Sequence, residues 1–508
     1  MSTLVAQHHH IIVRRVLLIS LACLFGAAGL LAQSNQSVEK SSKSKPPKVG
    51  SQLVALSSNG KYLVNSSTGQ PVFLVGDAPQ MMPESLDSAD VTTYLNDRAS
   101  RGFNALWIYA TDKSTQPNPP YNFYGQQPYD GADFTNADAN YWAYVDSIVN
   151  QAGSLGMTVF LMPFFVGNSS EQPYEYYSSF LATSRKTLQE FGAFLGNRYA
   201  SFPNIVWVLG GDSNPSDAGV YSQLNTVGAA IAAADPNHLM TLEACEHCAA
   251  NGYNSAQAFQ AVPMAVPSWL KLNWVYPTSS DTVAACNAGY NQSSFLPPLV
   301  GEDYYELENN TTPAILRFEG YSEILSGCYL GRIFGNGAIW SFNSPRGSNC
   351  ANGNNECKNP ATYPSLAWKN QLASPGIQYQ TILGKLFRSR EHWLMVPDTS
   401  HAVVTAGYGS GLSVTTTARS SDGQTIIAYI PNGNATTITV DLAKITSATS
   451  TVQGWWFDPQ TGATSNLGIF SNNGTHDFTP PDSNDWVLVL DDASANLPAP
   501  GSSIASAP

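Results

Sequence analysis

The sequence predicts an α/β chain: a (β/α)8 TIM barrel followed by a small antiparallel β-sandwich. Three observations carry that expectation. Eight short apolar runs alternate with amphipathic stretches over residues 53–392, five of the runs end in or beside an acid, and beyond residue 392 the pattern changes to period-two strands separated by turn pairs.

The eight runs are PVFLVGD (71–77), NALWIYATD (104–112), MTVFLMPFF (157–165), NIVWVLGGD (204–212), HLMTLE (238–243), WLKLNWVYP (269–277), PPLVGED (297–303) and GAIWSF (337–342). Each is strand length and apolar on both faces, as parallel strands sandwiched between a barrel interior and a helix layer must be. Between them, 89–102, 141–156, 185–200 and 218–236 read as amphipathic helices, with Gly102 and Gly156 where helix C-caps belong. Eight strands alternating with helices close into a barrel more naturally than into an open doubly wound sheet. No G-x-G-x-x-G or Walker motif follows a strand, so no nucleotide cofactor is expected.

Residues 393–492 carry strand patterns with turns at Asp422-Gly423, Asn432-Gly433 and Thr461-Gly462, the marks of a β-sandwich. The tail, 493–508, is expected to be disordered, as is the Ser/Lys/Pro linker 33–52. At the N-terminus, Arg14 and Arg15 precede the apolar run 16–32 and then polar residues. That is the layout of a signal peptide cleaved after Ala32, and a secreted or periplasmic protein is expected. A retained anchor is the alternative, at the short limit for spanning a membrane; a lipoprotein reading through Cys23 fits less well, because much of the apolar run follows it.

Six cysteines remain after such cleavage, an even number that suits disulfides in an exported chain. Cys350 and Cys357 flank a Gly/Asn loop and are expected to pair. Cys245-Glu-His-Cys248 resembles half a zinc site, but no second C-x-x-C or His pair stands near it, so a disulfide is expected there and no metal. The chain has 24 basic and 37 acidic residues, a net charge of −13. Nucleic acid and anionic membrane surfaces are disfavoured as partners. Aromatics reach 11% while charged residues are only 12%, a balance that suits an enzyme meeting neutral polar polymers; a monomer is expected.

In a (β/α)8 barrel the reactive face lies at the C-terminal ends of the strands. Asp77, Asp112, Asp212, Glu243 and Glu302 stand at or beside such ends. Glycoside hydrolysis needs two carboxyl groups there, one to protonate the leaving oxygen and one to attack or to activate water. Asp212 on the fourth run and Glu302 on the seventh are the candidate catalytic pair, with Glu243 as a substitute acid or a binding residue. The competing account of Asp212 is a helix cap, for which Ser213, Asn214 and Ser216 also qualify. Gly210 and Gly211, like Gly301, are expected to clear space for substrate. Asp77 is expected to bind a hydroxyl or orient another residue, and Tyr304 or Tyr305 to hydrogen-bond Glu302. Trp107, Tyr109, Asn273, Trp274, Tyr276, Tyr304 and Trp340 are candidate sugar-binding residues, and the loop 121–134 a candidate wall of the cleft.

The segments GKYLVNSSTGQPVFLVGDAPQ and YLNDRASRGFNALWI, with NIVWVLGGD and PLVGEDYYE, resemble the apiosidase-like glycoside hydrolases (family 140). AYIPNGNATTITVDL, GWWFDPQTG and FTPPDSNDWVLVL resemble the C-terminal domain of the collagen-binding type found in such proteins. The resemblance spans about 55–491. It implies a (β/α)8 barrel, hydrolysis of apiose-bearing pectic side chains of the plant cell wall, Asp212 as acid/base and Glu302 as nucleophile. The first acidic segment reads GDAPQMM, where many relatives carry Thr and Trp after the Asp. The alternatives are a glycosidase of this fold acting on another furanoside or pyranoside, and a non-catalytic carbohydrate-binding barrel. A metalloprotease would need an H-E-x-x-H motif that is not in the sequence.

Overall fold

A run of apolar residues without a polar face must be covered on both sides, and a closed ring of parallel strands inside a ring of helices does this. The computed structural model describes residues 53–113, 120–168, 176–245, 254–293, 295–342, 367–431, 437–446 and 450–502. The expected leader and linker, the Cys350–Cys357 pair, Cys248 and the Asn432-Gly433 turn lie outside those residues.

After a hairpin formed by Val54–Leu56 and Leu63–Asn65, eight parallel strands make the barrel: β1 (Leu74–Asp77), β2 (Ala105–Tyr109), β3 (Thr158–Met162), β4 (Ile205–Ser213), β5 (Leu239–Ala244), β6 (Asn273–Val275), β7 (Pro298–Val300) and β8 (Gly331–Phe334). Their order is β5-β4-β3-β2-β1-β8-β7-β6. The seam between β5 and β6 is bridged by the Ser255 hydroxyl, which donates to the Leu242 carbonyl at 2.6 Å and accepts the Trp274 N–H at 2.8 Å. The Lys271 N–H also reaches the Met240 carbonyl at 2.9 Å. The strands alternate with α1 (Ser88–Ser100), α2 (Ala139–Ser154), α3 (Arg185–Tyr199), α4 (Ala218–Ala234), α5 (Ser255–Ala261), α6 (Thr282–Tyr290), α7 (Pro313–Leu325) and α8 (Pro375–Arg388).

Side chains alternate across the barrel wall. Trp107 and Tyr109 of β2, Phe160 and Met162 of β3 and Val206 and Val208 of β4 share the interior cluster with Trp274, Leu299 and Ile333. Leu106, Ile108, Val159, Leu161, Trp207 and Leu209 pack outward with the helices. Gly102 and Gly156 follow α1 and α2 with φ of +83° and +74°, the left-handed stop that glycine allows.

Seven of the eight expected strands lie within their runs or pass the end by one residue, and the eighth is a correction. GAIWSF (337–342) is not a strand: it turns over the end of β8, with the Ile339 and Trp340 N–H groups donating to the Asn336 carbonyl. Its apolar content reflects burial in the helix-layer core, where Ile339 and Phe342 sit. The strand itself is GRIF, whose charge disguises it. Arg332 is buried there because it faces Asp303 in the loop after β7 and Glu323 of α7, the latter at 2.8 Å. Burial holds the Arg332 pKa down to about 9.

The remaining strands are β9 (Met395–Pro397), β10 (Val404–Ala406), β11 (Thr416–Ser420), β12 (Thr425–Ile430), β13 (Ile438–Asp441), β14 (Thr451–Phe457), β15 (Thr464–Ser471), β16 (Thr475–Phe478) and β17 (Trp486–Asp492). They form a six-stranded sheet, β9-β11-β12-β17-β14-β15, and a three-stranded sheet, β10-β13-β16, both antiparallel. Ile426, Ala428, Leu488 and Leu490 of the large sheet meet Val404, Val440 and Phe478 of the small one. Its other face is covered too: Ile427, Tyr429, Val487 and Val489 share a core with Leu316 and Tyr321 of α7 and Leu383 and Phe387 of α8. That double burial explains why β12 is buried at every position instead of alternating. Arg317 of α7 pairs with Asp485, and Arg390 with Asp491, both in fork geometry. The tail expected to be disordered is instead structured as far as Ser502, because Arg390 donates to the Pro498 carbonyl at 3.0 Å and the Gly501 N–H reaches Ser389 Oγ at 2.9 Å.

Cys286 of α6 and Cys328, which follows α7, are joined by a disulfide with Cα atoms 5.4 Å apart. Cys245 is also disulfide-bonded, so its thiolate does not serve a metal.

Candidate active site

The floor of the site begins with a break in β4. Pairing with β5 is regular through Leu209–Leu242 and resumes only at Ser213–Ala244. Across the gap, Gly210, Gly211 and Asp212 have φ of +102°, +86° and +46°. A Cβ on Gly210 would stand 2.0 Å from the Glu243 carbonyl oxygen, and one on Gly211 would stand 2.6 Å from the Phe165 ring. The two glycines are therefore required by the bulge and its neighbours, a correction to the expectation that they make room for substrate. The bulge lifts Asp212 out of the strand register and into the cleft. The cap of α4 is supplied elsewhere: Asp217 accepts from the Gly219 and Val220 N–H groups. Asp212 is thus free of the capping role that competed for it.

Glu302 arrives from the loop after β7. Gly301 beside it is a second correction, since a Cβ there would stand 1.8 Å from the Trp274 ring; the residue is small to admit an indole. Asp212 and Glu302 line one cleft of about 200 Å³ together with Gln80, Tyr109, Phe165, Tyr305, Glu308 and Trp340. Glu243 lies beneath, fully buried. Among the described residues its carboxyl oxygens have no well-formed hydrogen bond, yet Glu302 is near enough to share its proton.

The electrostatics follow from this crowding. Burial lifts the Asp212 pKa from 3.8 to about 6, although the side chain keeps a partial opening to solvent. Burial, then the charges of Glu302 and Asp212, push Glu243 well above the usual carboxyl range. Tyr109 and Tyr305 are raised by burial first and by the neighbouring carboxylates second, so both are neutral phenols. Tyr305 stands within hydrogen-bonding reach of Glu302 and accepts the Gln80 amide at 2.8 Å. The arrangement provides a carboxyl that holds its proton up to about pH 6, a second acidic group beside a phenol, and a buried acid that stays neutral.

The expected binding residues divide. Tyr109 and Trp340 line the cleft, and Trp340 donates its indole N–H to Glu308 at 2.9 Å. Asp77 does not reach it. That carboxylate is fully buried and accepts from Tyr94 Oη and Arg98 Nε at 2.5 Å each, fixing α1 to β1. Trp107 and Trp274 stack edge to face at 4.9 Å inside the barrel and are core. Asn273 is buried against α5 and α6, joining the Ala256 N–H and the Gly289 carbonyl. These departures share a cause: strand ends in a small barrel are tightly packed, so most of their side chains serve the core or the helix layer. Tyr276 and Tyr304 are partly buried and stand outside the residues lining the cleft. In the 121–134 loop, Trp142 Nε1 and Asn122 contacts fold the chain on itself. Gln80, Phe165 and Glu308 were not singled out from the sequence. Gln80 and Glu308 lie three and six residues beyond the acids Asp77 and Glu302, and that spacing was the available signal.

A family model described as "Apiosidase-like, catalytic domain" matches residues 57–394. A second, described as "Putative collagen-binding domain of a collagenase", matches residues 396–491. No curated protein sequence matches the chain. A glycoside hydrolase family 5 structure from Bacteroides vulgatus superposes with a TM-score of 0.72 at 22% identity, over 88% of this chain and 95% of that one. A structure described as a glycoside hydrolase gives 0.71 at 22%, over 87% and 98%. Both likenesses concern the fold.

Proposed function

The chain belongs to the apiosidase-like family of glycoside hydrolases, and from that premise we propose that it hydrolyses glycosidic bonds in pectic side chains of the plant cell wall by a retaining mechanism. The observation that carries the proposal is the convergence of Asp212 and Glu302 on one small cleft. Asp212, whose pKa burial raises to about 6, gives its proton to the glycosidic oxygen as the bond breaks, in the fraction of enzyme that holds that proton. Glu302 attacks the anomeric carbon and forms the glycosyl ester, assisted by Tyr305. Glu243, neutral beneath it, offers a proton to the Glu302 carboxylate and holds it ionised and oriented. Asp212, now a carboxylate, takes a proton from water, which releases the sugar. Export is proposed from the basic pair and apolar run at the N-terminus, and the Cys286–Cys328 disulfide supports an oxidising compartment. The monomer is likewise a proposal.

The test is a panel of 4-nitrophenyl glycosides and pectic oligosaccharides, with the anomer of the first-formed product followed by NMR. Cleavage with retained configuration is expected. Inverted product would remove the nucleophile role from Glu302, and no cleavage of any member would remove the pectic assignment.

A further inference from the structure

Three carboxyl groups, those of Asp212, Glu302 and Glu308, line the cleft, and among the described residues no Lys or Arg lines it with them. A nucleophile in such surroundings stays ionised only with the help of neutral hydrogen-bond donors. We propose that Gln80 is a positioning residue for this purpose: its side-chain amide holds the Tyr305 phenol so that the phenol gives its hydrogen bond to Glu302. The inference rests on the glycosidase reading above.

The argument is a count of protons. A phenol has one O–H to donate and accepts through the same oxygen. Tyr305 Oη accepts from Gln80 Nε2 at 2.8 Å, so its own hydrogen points away from the amide. Glu302 is the carboxylate within its reach. The amide could be turned the other way only by spending the Tyr305 hydrogen on the Gln80 oxygen. That would exchange a charged acceptor for a neutral one, and a hydrogen bond to a charged group is roughly twice as strong. Donation from Gln80 also polarises the O–H and strengthens the bond that the phenol makes in turn.

Both members are held in place before any substrate arrives. Gln80 is 4% exposed, and its carbonyl accepts the Tyr109 N–H at 2.8 Å, at the end of β2. The next residue, Met81, donates its N–H to the Trp340 carbonyl at 2.9 Å, in the turn after β8. The Tyr305 ring lies over Gly335, where a Cβ would stand 2.1 Å from it, so the ring has its place because that residue lacks a side chain. The Tyr305 carbonyl is fixed by the Thr311 hydroxyl at 2.7 Å. Gln80 follows β1 and Tyr305 follows β7, so the bond between them ties the nucleophile loop to an acid-free strand end across β8. The remaining ionisable groups around the phenol are Glu308 and Tyr109. Glu308 already accepts from the Trp340 indole, and Tyr109 is a neutral phenol.

The test uses the full chain and an aryl glycoside that the wild type cleaves. Gln80→Met and Gln80→Leu keep the volume and remove the amide, so that one serves if the other does not fold. Glu302 must be ionised to attack, and a weakened donor raises the pH at which it becomes so. The acid limb of the kcat/KM profile is therefore expected to move up by about 0.5 pH, while the limb set by Asp212 stays in place. At the optimum kcat/KM is expected to fall about fivefold. A merely structural role would lower the whole profile without moving its acid limb, and an unmoved limb in the folded variants overturns the proposal. The second arm repeats Gln80→Met and Gln80→Leu in a Tyr305→Phe background. There neither is expected to change kcat/KM more than about twofold, because the amide acts through the phenol; an undiminished fivefold loss overturns that route. A wild type that cleaves no aryl glycoside overturns the glycosidase reading along with the proposal, a result distinct from an active enzyme whose acid limb does not move.

Discussion

Asp212 carries two consequences that can be measured separately. Its pKa lies near 6 because burial disfavours the carboxylate. As the proton donor it works only while protonated, so kcat/KM is expected to fall as pH rises through about 6, approaching tenfold per pH unit beyond it. A profile flat from pH 5 to 8 would count against the donor role. Stability follows the same sign. The folded state holds this proton more tightly than the unfolded chain does, so the burden on folding grows as pH rises from about 4 to about 6 and stays constant above. Asp212→Asn is therefore expected to raise Tm by ~1–3 °C at pH 8 and by less at pH 4. The position of Asp212 and Glu302 at strand ends was legible in the sequence, because barrel geometry assigns chemistry to those ends. The roles of Gly210, Gly211 and Gly301 were not. Each is small because of an atom from another strand or loop, the Glu243 carbonyl, the Phe165 ring or the Trp274 indole, and no local pattern encodes that approach.

Among the elements, β4 matters most, because its bulge is what turns a buried strand into the carrier of an acid that faces the cleft. Gly210→Ala forces a side chain into left-handed backbone and into the Glu243 carbonyl at once. A loss of ~2–4 kcal/mol is expected, read by denaturant unfolding, together with reduced turnover as Asp212 shifts. Wild-type stability would mean that the bulge relaxes at little cost. The first four helices and seven strands were readable from apolar runs and caps. β8 was not, because Arg332 breaks the apolar pattern, and its partners Asp303 and Glu323 come from the preceding loop and helix. Hydrophobicity alone therefore pointed to the apolar turn that follows.

For the molecule as a whole, the two architectures are joined by a continuous core. The large sheet of the C-terminal domain lies against α7 and α8, and Tyr321 stacks on Tyr429 at 5.1 Å. α7 connects β7, and so the Glu302 loop, to β8. The C-terminal domain thus braces the helix behind the site, a packing role invisible in the sequence because either partner reads as an ordinary amphipathic element. The sequence did carry the barrel, the sandwich and the strand-end positions of Asp212 and Glu302, since these rest on periodicity and strand ends. The central claim is that Asp212 and Glu302 act as one catalytic pair on the barrel face. The most direct measurement is the turnover of full-length Asp212→Ala and Glu302→Ala on an aryl glycoside that the wild type cleaves, with Tm recorded for each. A loss of at least about a thousandfold in both, with Tm held near wild type, is the predicted result; near wild-type turnover in either folded variant would contradict it.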